Sequence, residues 1–172
     1  VLAGRHGLDQ WIAVGALMFN VGQGLTALRA DPVAVEALAG PIAVLTGWVT
    51  VCRQLESKGF LTAFDGLLAR LLLANGSPTE ARRRIDAGLA LARETGMHYY
   101  DAELLRLRAQ THSDPGYRHE DLYAAGKFAQ HKGANGFALR AAIDDYELRG
   151  PAALDGLRTA LARMPAAGSW PE

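Results

Sequence analysis

The sequence predicts an all-α protein, an α-solenoid of about four stacked antiparallel helix pairs. Two observations predict it. Apolar residues recur at i, i+3/i+4 and i+7 along most of the chain, the spacing that gathers side chains on one face of a helix. Helix starts and stops are also frequent and regular, with new pairs beginning near Phe60, Met97 and Gly136, 37 and 39 residues apart. That period falls in the range of helical repeat proteins, whose units bury their apolar faces against the next unit. No stretch alternates convincingly enough to demand a strand.

The clearest region is 59–96. Phe60, Phe64, Leu67, Leu68, Leu71 and Leu72 share one helical face, with Asp65 and Arg70 off it. Gly76 closes this helix, because glycine enters the left-handed conformation that ends a helix without a Cβ clash. Ser77-Pro78-Thr79-Glu80 then opens another: a serine cap, a first-turn proline whose missing N–H has no partner there anyway, and a glutamate completing a capping box. Ala81, Ile85, Leu89 and Ala92 form its stripe, and Gly96 stops it. So short a turn sets the two helices antiparallel.

The pattern continues downstream. Tyr100, Leu104 and Leu107 mark a helix, and His112 to His119, with Asp114-Pro115-Gly116, reads as a turn. Leu122, Ala125, Phe128 and Ala129 mark the return to Gly133. Leu139, Ala142, Ile143 and Tyr146 mark the next helix, which ends at Gly150. Pro151 begins the last, with Leu154, Leu157, Leu161 and Met164 in register. The repeats span 59–164, and 165–172 is a tail.

Residues 1–58 form a less regular helix pair. Trp11 to Ala30 is one helix, and Asp31-Pro32 supplies a cap and a first-turn proline for its partner. Gly40-Pro41 interrupts that partner, since proline removes a backbone hydrogen bond and clashes with the preceding turn. A helix from Pro41 to about Lys58 follows the break. Its uncharged run, Ala37 to Cys52, is short for a membrane span and reads as a buried helix at a domain junction.

Composition narrows the function classes. Equal numbers of basic and acidic residues, 18 each, argue against a nucleic-acid-binding domain, which needs a strongly basic surface. A single cysteine, Cys52, cannot form an intrachain disulfide and suits a reducing cytoplasm. Its apolar neighbours Trp48, Val49 and Val51 favour an inert thiol over a nucleophile. The chain starts at Val1 without a signal-peptide layout, so we read it as a fragment of a longer protein.

Gly76-Ser77-Pro78-Thr79-Glu80-Ala81 resembles the turn and second-helix start of a tetratricopeptide repeat. Ala81, Ile85 and Gly88 fall at that repeat's small, large and small packing positions, and Ala69 and Leu72 at positions of its first helix. More specifically, residues 85–96 and 102–108 resemble a recurring stretch of large bacterial signalling proteins. There a tetratricopeptide-like region follows a nucleotide-binding ATPase domain, often with a class III adenylate or guanylate cyclase or a LuxR-type DNA-binding domain. The resemblance is good over 59–133, fair to Met164 and poor before Trp48. Arg118 stands where the repeat takes a small alanine.

No catalytic constellation stands out. Gly22-Gln23-Gly24 mimics a dinucleotide fingerprint but lies inside a helical stripe instead of after a strand, so small residues at a helix contact explain it better. Gly126-Lys127 lacks the earlier glycine and the following Ser or Thr of a phosphate loop. His112, His119 and His131, with Asp114, Glu120 and Asp121, match no metal-ligand spacing and read as surface groups. Asp144, Asp145 and Glu147 read as a solvated face, because neighbours at i and i+1 diverge on a helix. Arg82-Arg83-Arg84 reads the same way.

The sequence therefore predicts a non-catalytic, cytoplasmic interaction module without cofactor or metal. Its partners would be a protein segment or neighbouring domains of the parent chain, with no direct nucleic-acid or membrane contact. The alternative is a sensor for a small effector, and Trp48, Phe60, Tyr99 and Tyr100 are the candidate groove residues for either reading.

Overall fold

A computed structural model describes residues 9–54 and 58–165. Every regular element among them is helical, and the helices pack against one another. The elements are α1 (Asp9–Arg29), a 3-10 turn (Val35–Ala37), α2 (Ala39–Gln54), α3 (Leu61–Ala74), α4 (Pro78–Thr95), α5 (Asp101–Ala109), α6 (Pro115–His131), α7 (Asn135–Arg149), a second 3-10 turn (Gly150–Ala153) and α8 (Leu154–Ala162). The chain divides into two compact units at Arg84/Ile85, within α4. The expected tail beyond 165 lies outside the described residues.

In the first unit α1 packs on α2, and α2 on α3. The core holds Leu17, Leu38, Leu45, Val49, Leu61, Leu68 and Leu71, all essentially inaccessible. Gly24 sits where α1 meets its neighbours: a Cβ there would stand 3.0 Å from Leu71 and 3.2 Å from Pro41. The glycine-rich run is thus a close helix contact.

The structure redraws the entry to α2. Asp31-Pro32 lies in a bend with a cis peptide and caps no helix. The chain turns through the 3-10 segment and α2 starts at Ala39, which puts Pro41 in the first helical turn, where its missing N–H is harmless. The break falls before Gly40; the helix is described as far as Gln54, and Lys58 is outside it. Nor is α2 a buried helix. Pro41, Leu45 and Val49 face inward, while Val44 and Val51 are exposed. Val35–Gln54, at mean hydropathy 1.6, is by length and composition long and apolar enough to cross a membrane, with 22% of it buried.

The α3 stripe is also rotated from expectation. Phe60 adopts φ 58°, precedes the helix and is 71% exposed. The buried face carries Leu61, Asp65, Leu68 and Leu72, so the acidic residue placed off the stripe is fully buried. Gly76 does close α3: its φ is +71°, and the Ser77 N–H donates back to the Leu72 carbonyl at 2.8 Å.

In the second unit α5 packs on α6 and α7, α6 on α7, and α7 on α8. The expected turn 112–119 is largely helix. Asp114 caps α6, accepting from the N–H groups of Gly116 (2.7 Å) and Tyr117 (3.2 Å), with Pro115 in the first turn. Leu104, Leu107, Leu122, Ala125 and Ala129 are buried as the periodicity implies. The α7 stripe is not. Ile143 and Tyr146 are exposed, and Ala138 and Ala141 point inward instead. In α8 likewise Leu161 is exposed and Ala160 buried.

Candidate functional site

The α5, α6 and α7 helices of the second unit are joined by charged side chains that the apolar pattern does not reveal. Arg106 on α5 forks onto Glu103 with two 2.9 Å hydrogen bonds and reaches Asp144 of α7 at 2.6 Å. Glu103 also meets Arg140 of α7 at 3.4 Å. Glu103 is 2% and Arg106 9% exposed. Burial is the largest influence on Arg106 and disfavours its charge, but the two carboxylates outweigh it and hold the guanidinium more firmly protonated than usual.

Two further junctions repeat one arrangement. Asp121 of α6 accepts from both Arg108 of α5, at 2.9 Å for Nε, and His112 Nε2, at 3.1 Å. Asp145 of α7 accepts from His119 Nδ1 of α6 at 2.9 Å and from Arg149 Nε at 2.8 Å. Burial raises the Asp145 carboxyl, yet the Arg149 and His119 bonds win and hold it below its ordinary range. His112 and His119 are therefore half-buried partners of carboxylates, not surface histidines. Asp144 and Asp145 do diverge, as neighbours on a helix must, but each points at a different helix instead of solvent. Among the described residues no three His, Cys, Asp or Glu side chains form a group that could hold a metal.

Above the Asp145 junction lies an open cleft of about 420 Å3 between α6, α7 and α8. Its floor is made of small residues, Gly126, Ala138, Ala141, Ala142 and Gly156. Tyr123 and Lys127 stand on the α6 wall, with the Lys127 ammonium 5.4 Å from the Tyr123 ring centroid. Gln130 continues that wall one turn on, and Asp145, Arg149, Asp155 and Thr159 rim the other side. The cleft can hold a bulky side chain or a small molecule, since ligand sites run to roughly 300–1,000 Å3.

The four groove candidates fall elsewhere. Trp48 and Phe60 belong to the first unit, Tyr99 and Tyr100 to the second. Trp48 is half-buried, and its indole N–H is buried without a hydrogen-bond partner among the described residues. Phe60 stands exposed at the start of α3. Tyr99 meets Tyr100 edge-on at 6.3 Å, and Tyr100 meets Phe137 at 5.7 Å. Phe137 in turn lines a smaller cavity of about 250 Å3 with Asn135 and Arg140. The structure thus brings Tyr99 and Tyr100 together beside a cavity wall. The larger cleft is built largely from residues that sequence reasoning passed over; the one available signal was the Tyr123–Lys127–Gln130 spacing, which sets the three on one side of α6. Cys52 is half-buried, and burial pushes its thiol up, away from the reactive thiolate.

No family model, curated protein or solved structure matches the chain.

Proposed function

We propose that this chain is a non-catalytic regulatory interaction module of a bacterial signal-transduction or transcriptional-regulator protein. In this reading its helices are tetratricopeptide-like repeats, and its cleft receives a protein segment or a neighbouring domain of the parent chain. Binding then biases an ATPase, cyclase or DNA-binding output elsewhere. The observation that carries the reading is the 420 Å3 cleft between three successive helices, open to solvent and framed by fixed ion pairs. The resemblance over 59–133 and the helix starts at Leu61, Asp101 and Asn135 support the repeat interpretation.

The test is calorimetric titration with the domains encoded in the same reading frame, using wild type and Ala142→Leu. Ala142 is a half-exposed floor residue, so leucine fills the cleft with little effect on the core. Micromolar binding that Ala142→Leu abolishes supports the reading; binding unaffected by it, or ATP turnover by the chain alone, refutes it.

The cleft volume also favours a second reading, a sensor for a small effector. A metabolite that raises the melting temperature of wild type by several degrees and leaves Ala142→Leu unmoved would select it.

A further inference from the structure

We infer that the α6–α7–α8 cleft recognises a peptide segment in which an acidic side chain adjoins a bulky apolar one; the inference rests on the interaction-module reading and names the chemistry of its partner. Some of the charges that line the cleft are already engaged. Asp145 accepts from His119 of α6 and from Arg149 of its own helix, so the carboxylate cannot be freed without breaking the α6–α7 junction, and Arg149 spends its Nε and one terminal N–H on it. Asp155, on the α8 rim, lies within 3.5 Å of Arg158 and is almost wholly in water.

The α6 wall differs. Lys127 makes no ion pair among the described residues, and Gln130, one turn further along the same face, donates no side-chain hydrogen bond among them. An ammonium and an amide N–H, three residues apart on one helix, offer donors to one carboxylate. The Tyr123 ring, 59% exposed beneath the ammonium, gives an apolar side chain something to stack on. Ala138, Ala141, Ala142 and Gly156 leave room for its bulk. The charge offered is positive, so the complementary group is a carboxylate. The floor beside it is small and apolar, so the adjoining group is a ring or a large aliphatic side chain.

The experiment is fluorescence anisotropy with two labelled hexapeptides of the form Gly-Ser-Phe-Glu-Ser-Gly and Gly-Ser-Phe-Gln-Ser-Gly, both amidated at the C-terminus. The Glu peptide should bind about fivefold more tightly than the Gln peptide, with the preference lost in 0.5 M salt, the range expected of a partly exposed ion pair. Lys127→Met should erase the preference and Lys127→Arg keep most of it, while Tyr123→Ser should weaken both peptides alike. Lys127 is exposed, so its replacement leaves folding intact. Equal binding of the two peptides, or a preference that survives Lys127→Met, overturns the inference. If neither peptide binds while Ala142→Leu still blocks capture of a parent domain, the peptide chemistry is wrong and the module reading stands. If the parent domains also fail to bind, both fall.

Discussion

Asp65 is the residue whose replacement tests the packing logic most sharply. Its side chain is fully buried at the α2–α3 contact, and Arg53 of α2 holds Oδ2. Oδ1 has no hydrogen-bond partner among the described residues. Burial is the largest influence on its carboxyl and raises it; Arg53 and then Arg84 pull it down without prevailing, and it rests at about 6. Because this is above the ordinary 3.8, the folded protein takes up a proton more readily than the unfolded chain. The contribution of Asp65 to stability is therefore fully present below about pH 4 and is lost as pH rises through 6. The span from 3.8 to about 6 corresponds to about 3 kcal/mol of penalty on the ionised form at pH 8.

Asp65→Asn removes the charge and keeps the shape. Arg53, 35% exposed, turns its guanidinium to water. The variant should match wild type near pH 4 and exceed it by up to about 3 kcal/mol at pH 8, on the order of 6–10 °C in melting temperature. Asp65→Ala should fall below Asp65→Asn at every pH, because it leaves a cavity. The assay is thermal unfolding followed by circular dichroism from pH 4 to 8, read as the difference between variant and wild type. A difference that does not change with pH would refute the reasoning. So would an Asn variant as unstable at pH 8 as the Ala variant, which would mean that the Arg53 pair outweighs the desolvation of the carboxylate.

Three other outcomes follow from the contacts described. Arg106→Met takes both guanidinium hydrogen bonds from the buried Glu103 carboxylate, and should cost about 3–5 kcal/mol by urea unfolding; Glu103→Met with Arg106→Met together should cost less than the sum of the two singles. Asp114→Ala removes the cap of α6 and should cost about 1 kcal/mol, with faster amide exchange at Gly116 and Tyr117. Gly24→Val forces a Cβ against Leu71 and Pro41 and should cost about 1–3 kcal/mol, whereas Gly22→Ala, with open space around it, should be neutral or slightly stabilising.

The helical class, most element boundaries and the glycine stops were legible in the sequence because they depend on local chemistry. Gly76, Gly96, Gly133 and Gly150 all adopt positive φ where the periodicity breaks. Which face each helix buries was less legible. Phe60, Ile143 and Leu161 were assigned inward on size, yet the contacts are made by Leu61, Ala141 and Ala160. Helices that approach closely need small residues at the seam, and a stripe chosen by hydrophobicity overlooks alanine. The buried charges failed for a second reason. Arg106 finds Asp144 38 residues away and His119 finds Asp145 26 residues away, so nothing near either residue in the sequence signals its partner.

These two failures have a common physical origin, and it bears on the cleft. A seam of Ala125, Ala129, Ala138 and Ala141 buries little apolar area per residue, and at about 25 cal/mol per Å2 it contributes less than a leucine seam would. Paired charges supply the register between α5, α6 and α7 that large interlocking side chains would otherwise impose. Small residues at the seam also mean small residues where the seam opens, which is why the cleft has a shallow floor and its chemistry sits on the rim. On that rim Asp145 is already engaged, by His119 across the junction and by Arg149 along its own helix. What remains to meet a partner, Lys127, Gln130 and the Tyr123 ring, is what the packing of α6 against α7 did not use.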